Sequence, residues 1–113
     1  MKTYTISTAE KNFEKIKSGK KIIESRLFYD ERKKFKIGDC LELVNEGDKN
    51  EKLLLKIKEL IIKDSFEELF KSKAIKDFGY ETIGDALKNV FLYYTKENEK
   101  KFGVIGIIVE RIK

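Results

Sequence analysis

The stretch SGKKIIESR, residues 18–26, sets two lysines, a glutamate and an arginine around Ile22 and Ile23, directly after a glycine. If residues 20–26 are extended, Ile22, Glu24 and Arg26 point to one side and Lys21, Ile23 and Ser25 to the other. A solvated edge strand sorts charges to one face and apolar residues to the other. This stretch does not, which leaves two readings: an ordinary charged edge, or the lining of a polar cleft. Glu24 and Arg26 would stand roughly 7 Å apart at the backbone, within reach of each other's long side chains. If that face is partly buried, the pair must satisfy itself by a charge-assisted bond and its remaining donors can hold a polar ligand. Lys21, two residues past the glycine, would sit at the lip of such a cleft.

Upstream, KTYTI (2–6) alternates like a first strand, and STAE (7–10) places Ser7 three residues before Glu10 in the spacing of a capping box. The helix that follows shows Phe13 and Ile16 on one face and ends at Gly19, which tolerates the left-handed conformation that stops helices. Downstream, Ile37-Gly38-Asp39 reads as a tight turn into a strand at CLELV (40–44). NEGDKN (45–50) reads as a hairpin turn, and EKLLLKIKELII (51–62) as a long strand with Leu53, Leu55 and Ile57 on one face. DSFEELFKS (64–72) opens a helix, with Asp64 or Ser65 as cap and Glu67 or Glu68 as its partner. Residues 74–103 are helical and loop-like by turns, with FLYY (91–94) placed in a helix. GVIGIIVERI (103–112), apolar on both faces, fits a central strand. The order β-α-β-β-β-α-(α)-β fits an α+β fold, a small mixed barrel or curled sheet with helices at its ends.

The length of 113 residues is that of one domain, taken as residues 1–113. An apolar share of 41% excludes a disordered chain, and 40% charged residues demand a densely charged surface. Cys40 is the only cysteine, so no intrachain disulfide forms, and its place at the start of an apolar strand makes it a small core residue. With no histidine, Ser-His and Cys-His catalysis are excluded, and no metal or cofactor is expected. No apolar run has the length of a leader or a membrane span, which leads to the expectation of a reduced, cytoplasmic protein. The formal charge of +5 suits a polyanion partner. Only Arg26, Arg32 and Arg111 of the 25 basic residues are arginine, so a lysine-rich composition explains the charge equally well.

Two further segments carry candidate residues. DERKKFK (30–36) supplies Arg32, Lys33, Lys34 and Lys36 with Phe28, Tyr29 and Phe35 nearby, either a nucleic-acid track or a solvated loop whose aromatics close the core. Because neighbouring helical residues cannot all face inward, one of Tyr93 and Tyr94 must be exposed or face a cleft.

At Gly19, Lys21, Glu24 and Arg26 the chain carries G-x-K-x-x-E-x-R, which resembles the motif of the ASCH domain, a member of the PUA-like superfamily. The resemblance continues through FKIGD (35–39), SFEEL (65–69) and YYTKENEKKFGVIGIIVERI (93–112), and so covers nearly the whole chain in order. It implies a PUA-like small mixed β-barrel flanked by helices, with the motif in a cleft and a role tied to RNA or to a modified nucleoside or nucleotide. Lys21, Glu24 and Arg26 are then the ligand-binding candidates, joined by Lys20 and, as the tyrosine before the last strand, Tyr93. The family includes hydrolases of N4-acetylcytidine and has been linked to RNA cleavage, which would make Lys21 and Tyr93 the catalytic candidates. In the amidohydrolase the threonine nucleophile falls where this chain has Glu24, which offers no hydroxyl. A carboxylate beside Lys21 also favours a cationic lysine over a lysine base, and suits it to gripping a phosphate or carbonyl. The leading expectation is therefore binding, with hydrolysis and a protein-interaction module as the alternatives.

Overall fold

The computed structural model describes residues 1–112. Five strands, β1 (Thr3–Thr8), β2 (Ile23–Leu27), β3 (Cys40–Asn45), β4 (Asp48–Lys63) and β5 (Val104–Arg111), form one sheet in the order β1-β3-β4-β5-β2. Helix α1 (Glu10–Lys17) follows β1, while α2 (Phe66–Ser72), α3 (Ile83–Val90) and α4 (Lys96–Phe102) lie between β4 and β5. Short 3-10 turns cover Asp30–Lys34 and Ile75–Phe78. β1 pairs with β3 in parallel and every other pair is antiparallel, so the sheet is mixed. It curls into a half-barrel whose two edge strands, β1 and β2, border an opening.

β4 makes the curl possible. Its first half pairs with β3 and its second half with β5, and at 16 residues it is too long to stay flat. Leu53, Leu55 and Ile57 point inward as the alternation predicts. Between Ile57 and Glu59 the register shifts by a bulge, which moves the next inward residue to Leu60 and turns Ile61 to the opposite face. This is why the period breaks in KELII (58–62).

The sheet separates two cores. On one face Phe13 and Ile16 of α1 pack against Leu41, Leu43, Leu55, Ile105 and Ile107. On the other, Phe66, Leu69 and Phe70 of α2, Phe78, and Ala86 and Val90 of α3 pack against Ile23, Leu27 and Val104. β5 contributes to both, which accounts for its lack of a polar face. Gly106 lies where α2 crosses β5: a Cβ there would come 2.8 Å from Cδ1 of the fully buried Leu69, which would have to shift within the core. Gly106→Ala is accordingly expected to destabilise the fold by about 1–3 kcal/mol through overpacking, read as a lower urea midpoint; an unchanged midpoint would mean that α2 does not dock this closely.

Two local expectations need correction. The capping box at Ser7 does not form: β1 runs on through Ser7 and Thr8, whose backbones are held beside Val44 and Asn45 of β3, and the cap position of α1 falls on Ala9, which makes no side-chain cap. Ser7 Oγ donates instead to Glu46, at 3.1 Å. Likewise FLYY is not helical, because α3 ends at Val90 and the chain turns, with Tyr94 N donating to Val90 O. The turn lets Phe91 and Tyr94 both reach the second core, leaving Leu92 and Tyr93 exposed. The Ser65 cap, by contrast, is as expected, accepting from Glu68 N at 3.1 Å.

Candidate functional site

The opening between β1 and β2 is bridged by one side chain, Arg26 of β2, whose Nη2 donates to Ser7 O of β1 at 2.7 Å. Beside this bridge lies a cleft of about 120 Å³. Ser7 and Thr8 from the end of β1 form one wall, and Asn89, Tyr80, Tyr93 and Tyr94 from the α3 region form the other. The floor is made by Lys21, Glu24 and Arg26.

Local chain geometry places these three. After α1, Gly19 takes φ +82° and turns the chain, so that Lys21 N donates to Lys15 O and Ile22 N to Asp77 O. Lys21 therefore precedes the strand, and the alternation read for residues 20–26 applies only from Ile23 onward: Glu24 and Arg26 share a face, but Lys21 joins them. Its side chain runs past Gly79, where a Cβ would stand 3.1 Å from Lys21 Cδ. Nor does Lys21 sit at the lip. It is 2% exposed, in the floor.

Each oxygen of Glu24 serves a different cation. Oε1 lies 2.9 Å from Lys21 Nζ, and Oε2 accepts from Arg26 Nη2 at 2.9 Å and Nε at 3.3 Å. Glu24 is itself 4% exposed, so in the floor two cations share one buried anion, while the exposed carboxylate of Glu46 lines the same cleft. Burying charge is unfavourable unless it is paired and hydrogen-bonded, and here a single carboxylate performs the pairing for both partners.

Burial by itself would raise the Glu24 carboxyl, yet Lys21 and Arg26 outweigh it and hold the group down at about 2. A carboxyl depressed in the folded state contributes stability that is fully present above its unfolded value of about 4.5 and is lost as pH falls through its folded value. The midpoint for urea unfolding should therefore hold down to about pH 5 and decline steadily between pH 4.5 and 2. Glu24→Gln should flatten that decline, and an identical acid profile would mean that another carboxylate governs it. Tyr80 is pushed up to about 12, first by burial and then by Glu24, and its hydroxyl donates to Asn89 Oδ1 at 2.6 Å. Burial also raises Tyr94, against the pull of Arg26 and Arg32, so both rings present neutral phenols at neutral pH.

The family model for the ASCH domain matches residues 6–113. The chain belongs to the ASCH domain family. Among solved structures, the crystal structure of hypothetical protein PH0355 superposes with a TM-score of 0.83 at 35% identity, covering 99% of this chain and 100% of that one. The solution structure of protein PF0455 from Pyrococcus furiosus gives 0.74 at 30% identity, covering 100% of this chain and 99% of that one. The crystal structure of ASCH from Zymomonas mobilis gives 0.56 at 9% identity over 94% of this chain and 65% of that one, a likeness of fold. No curated protein matches the chain.

In this ASCH domain, Lys21, Glu24 and Arg26 converge, and Tyr93 stands at the rim, 66% exposed. Lys20 does not reach the cleft; it is exposed and lines a separate hollow with Lys15 and Lys76, because the turn after Gly19 sends it outward while Lys21 goes in. The basic run is held in a 3-10 turn: Arg32 Nη1 donates to Leu27 O and its guanidinium lies over Tyr29, Lys33 lies over Phe28, and Phe35 is buried. Ser7, Thr8, Asn12, Glu46, Tyr80 and Asn89 escaped sequence reasoning. They come from four separate segments that only the sheet topology assembles, and no spacing announces them. Cys40 is buried and unpaired, with its Sγ 3.7 Å from Met1 Sδ. No cluster of three metal-ligating side chains occurs among the described residues, and no helix there is long and apolar enough to cross a membrane.

Proposed function

We propose that this ASCH domain binds RNA or a modified nucleoside or nucleotide through the cleft over Lys21, Glu24 and Arg26. The observation that carries the reading is the buried Lys21–Glu24–Arg26 trio, which sets two cations on one carboxylate under a rim of tyrosines. Membership of a family generally thought to bind RNA supports it. Lys21 and Arg26 donate to a phosphate or carbonyl oxygen, and Glu24 fixes both in place. Tyr93 and Tyr94 offer flat faces for a base, a mode of RNA recognition that needs the base splayed out of a stack. A volume of about 120 Å³ is below the roughly 300–1,000 Å³ of clefts that enclose a drug-sized ligand, and suits one planar base.

The geometry favours binding over hydrolysis. Both oxygens of Glu24 are engaged by cations, so the residue at the nucleophile position of the amidohydrolase serves here as an anchor.

Titration of short single-stranded RNAs and modified nucleosides against the wild type and Tyr93→Ala tests this. Tyr93 is two-thirds exposed, so its truncation should leave the melting temperature unchanged while weakening binding by about 1–3 kcal/mol, the usual contribution of one base stack. Equal affinity of the two proteins would remove Tyr93 from the site, and an absence of binding by every ligand at millimolar concentration would remove the reading itself.

A further inference from the structure

The cleft is one of two cavities along the seam between β1 and β2. The second, of about 340 Å³, lies on the other side of Arg26 and is lined by Tyr4, Thr5, Ile6, Glu31, Arg32 and Phe35. Ser7 and Arg26 line both, so the Arg26 to Ser7 bridge is the partition between them. The two sides differ in character. The first has charged and amide groups on its floor and wall, and the second offers the aromatic pair Tyr4 and Phe35, whose ring centres are 4.9 Å apart.

Arg32 stands close to the partition, near enough to Arg26 for the like charges to oppose one another and for burial and Arg26 together to depress its guanidinium. Each arginine spends part of its donor set internally: Arg26 uses Nε and Nη2, and Arg32 uses Nη1. Among the described residues, Arg26 Nη1 and Arg32 Nε and Nη2 donate to nothing. Glu24 is already shared between Lys21 and Arg26; Glu46 lines the first cavity and Glu31 the second, and among the described residues neither bonds a guanidinium. Two guanidiniums with spare donors, set between two cavities, are suited to a bridging anion of fixed geometry, and a phosphodiester has that form.

We propose that the seam holds two consecutive nucleotides of a single strand: one base in the cleft beneath Tyr93 and Tyr94, the linking phosphate on Arg26 and Arg32, and the next base against Tyr4 and Phe35. This rests on the reading of the cleft as a nucleotide site and extends it from one unit to two. The substrate class is then a linked dinucleotide within a flexible strand, and duplex is excluded because both bases must leave their stacks.

The test compares three probe sets by calorimetric titration: the four ribonucleosides, RNA dinucleotides made from them, and the same dinucleotides with a neutral methylphosphonate linkage. The natural dinucleotide should bind the wild type at least about tenfold more tightly than the better of its nucleosides, the gain of one charge-assisted contact or more. The neutral linkage should lose that gain. Arg32→Gln should lose it as well while binding nucleosides as the wild type does. A dinucleotide no tighter than its nucleosides, a methylphosphonate that binds as well as the natural linkage, or an Arg32→Gln variant weakened equally for nucleoside and dinucleotide would each overturn the two-nucleotide seam. Nucleoside binding without the dinucleotide gain overturns this inference alone. Failure of all three sets to bind overturns this inference, and the titration with modified nucleosides and short RNAs then decides the cleft reading separately.

Discussion

Glu24→Gln is expected to destabilise the protein by about 3–5 kcal/mol, because it leaves the buried Lys21 ammonium without a counter-charge. Glutamine matches glutamate in shape, so neither a cavity nor a clash contributes. Arg26 suffers less: its side chain keeps 13% of its surface accessible and it retains the bond to Ser7 O. Adding Lys21→Met to Glu24→Gln should therefore recover most of the loss, since methionine replaces the lysine stem and removes the stranded charge. Urea denaturation of the wild type, both single variants and the double variant measures the coupling directly. A loss below about 1 kcal/mol in Glu24→Gln would place the trio in the regime of solvated surface pairs.

The second large effect concerns the wall of the cleft. Phe66 is fully buried at the start of α2, with its ring centre 5.5 Å from Tyr94 and 6.0 Å from both Phe70 and Phe91. Phe66→Ala should cost about 3–5 kcal/mol of stability through the cavity it opens. Phe66→Leu keeps most of the volume and should cost less than about 1.5 kcal/mol, yet it removes the stacked ring that positions Tyr94. Its affinity for a bound nucleotide should then fall by more than its stability does. Affinity equal to the wild type in Phe66→Leu would show that Tyr94 is positioned from elsewhere, for example by the turn that bonds its amide to Val90 O.

Much of this architecture was legible because local chemistry and tertiary structure agree. Gly19, Gly38 and the Ser65 cap are where the sequence places them, and Leu53, Leu55 and Ile57 face inward as period two requires. The misreadings arise where a longer-range demand prevails. Parallel pairing of β1 with β3 keeps Ser7 in the sheet, although Ser7 and Glu10 have capping-box spacing. The bulge after Ile57 resets a strand whose composition alone cannot announce it. At the site, the mixture of charge and isoleucine in residues 20–26 pointed to a polar lining, and Glu24 does hold Arg26. The depth of Lys21 was not legible, because it depends on the turn after Gly19 and on the space left by Gly79, 58 positions along the chain from Lys21. The β1 wall, the hairpin residue Glu46 and Asn89 became visible only once the sheet curled and brought β1 opposite β2.

The most direct test of the central claim, that the floor built by Lys21, Glu24 and Arg26 receives a nucleotide, is a two-dimensional nitrogen-15 NMR titration of the wild type with a single-stranded RNA tetranucleotide. The Arg26 Nε–H signal, the Asn89 side-chain amide and the backbone amides of Ser7, Thr8, Tyr93 and Tyr94 report on this one cleft. These signals are expected to shift together and saturate at one dissociation constant while α4 stays unperturbed. Shifts confined to another face, or none at millimolar RNA, would contradict the claim.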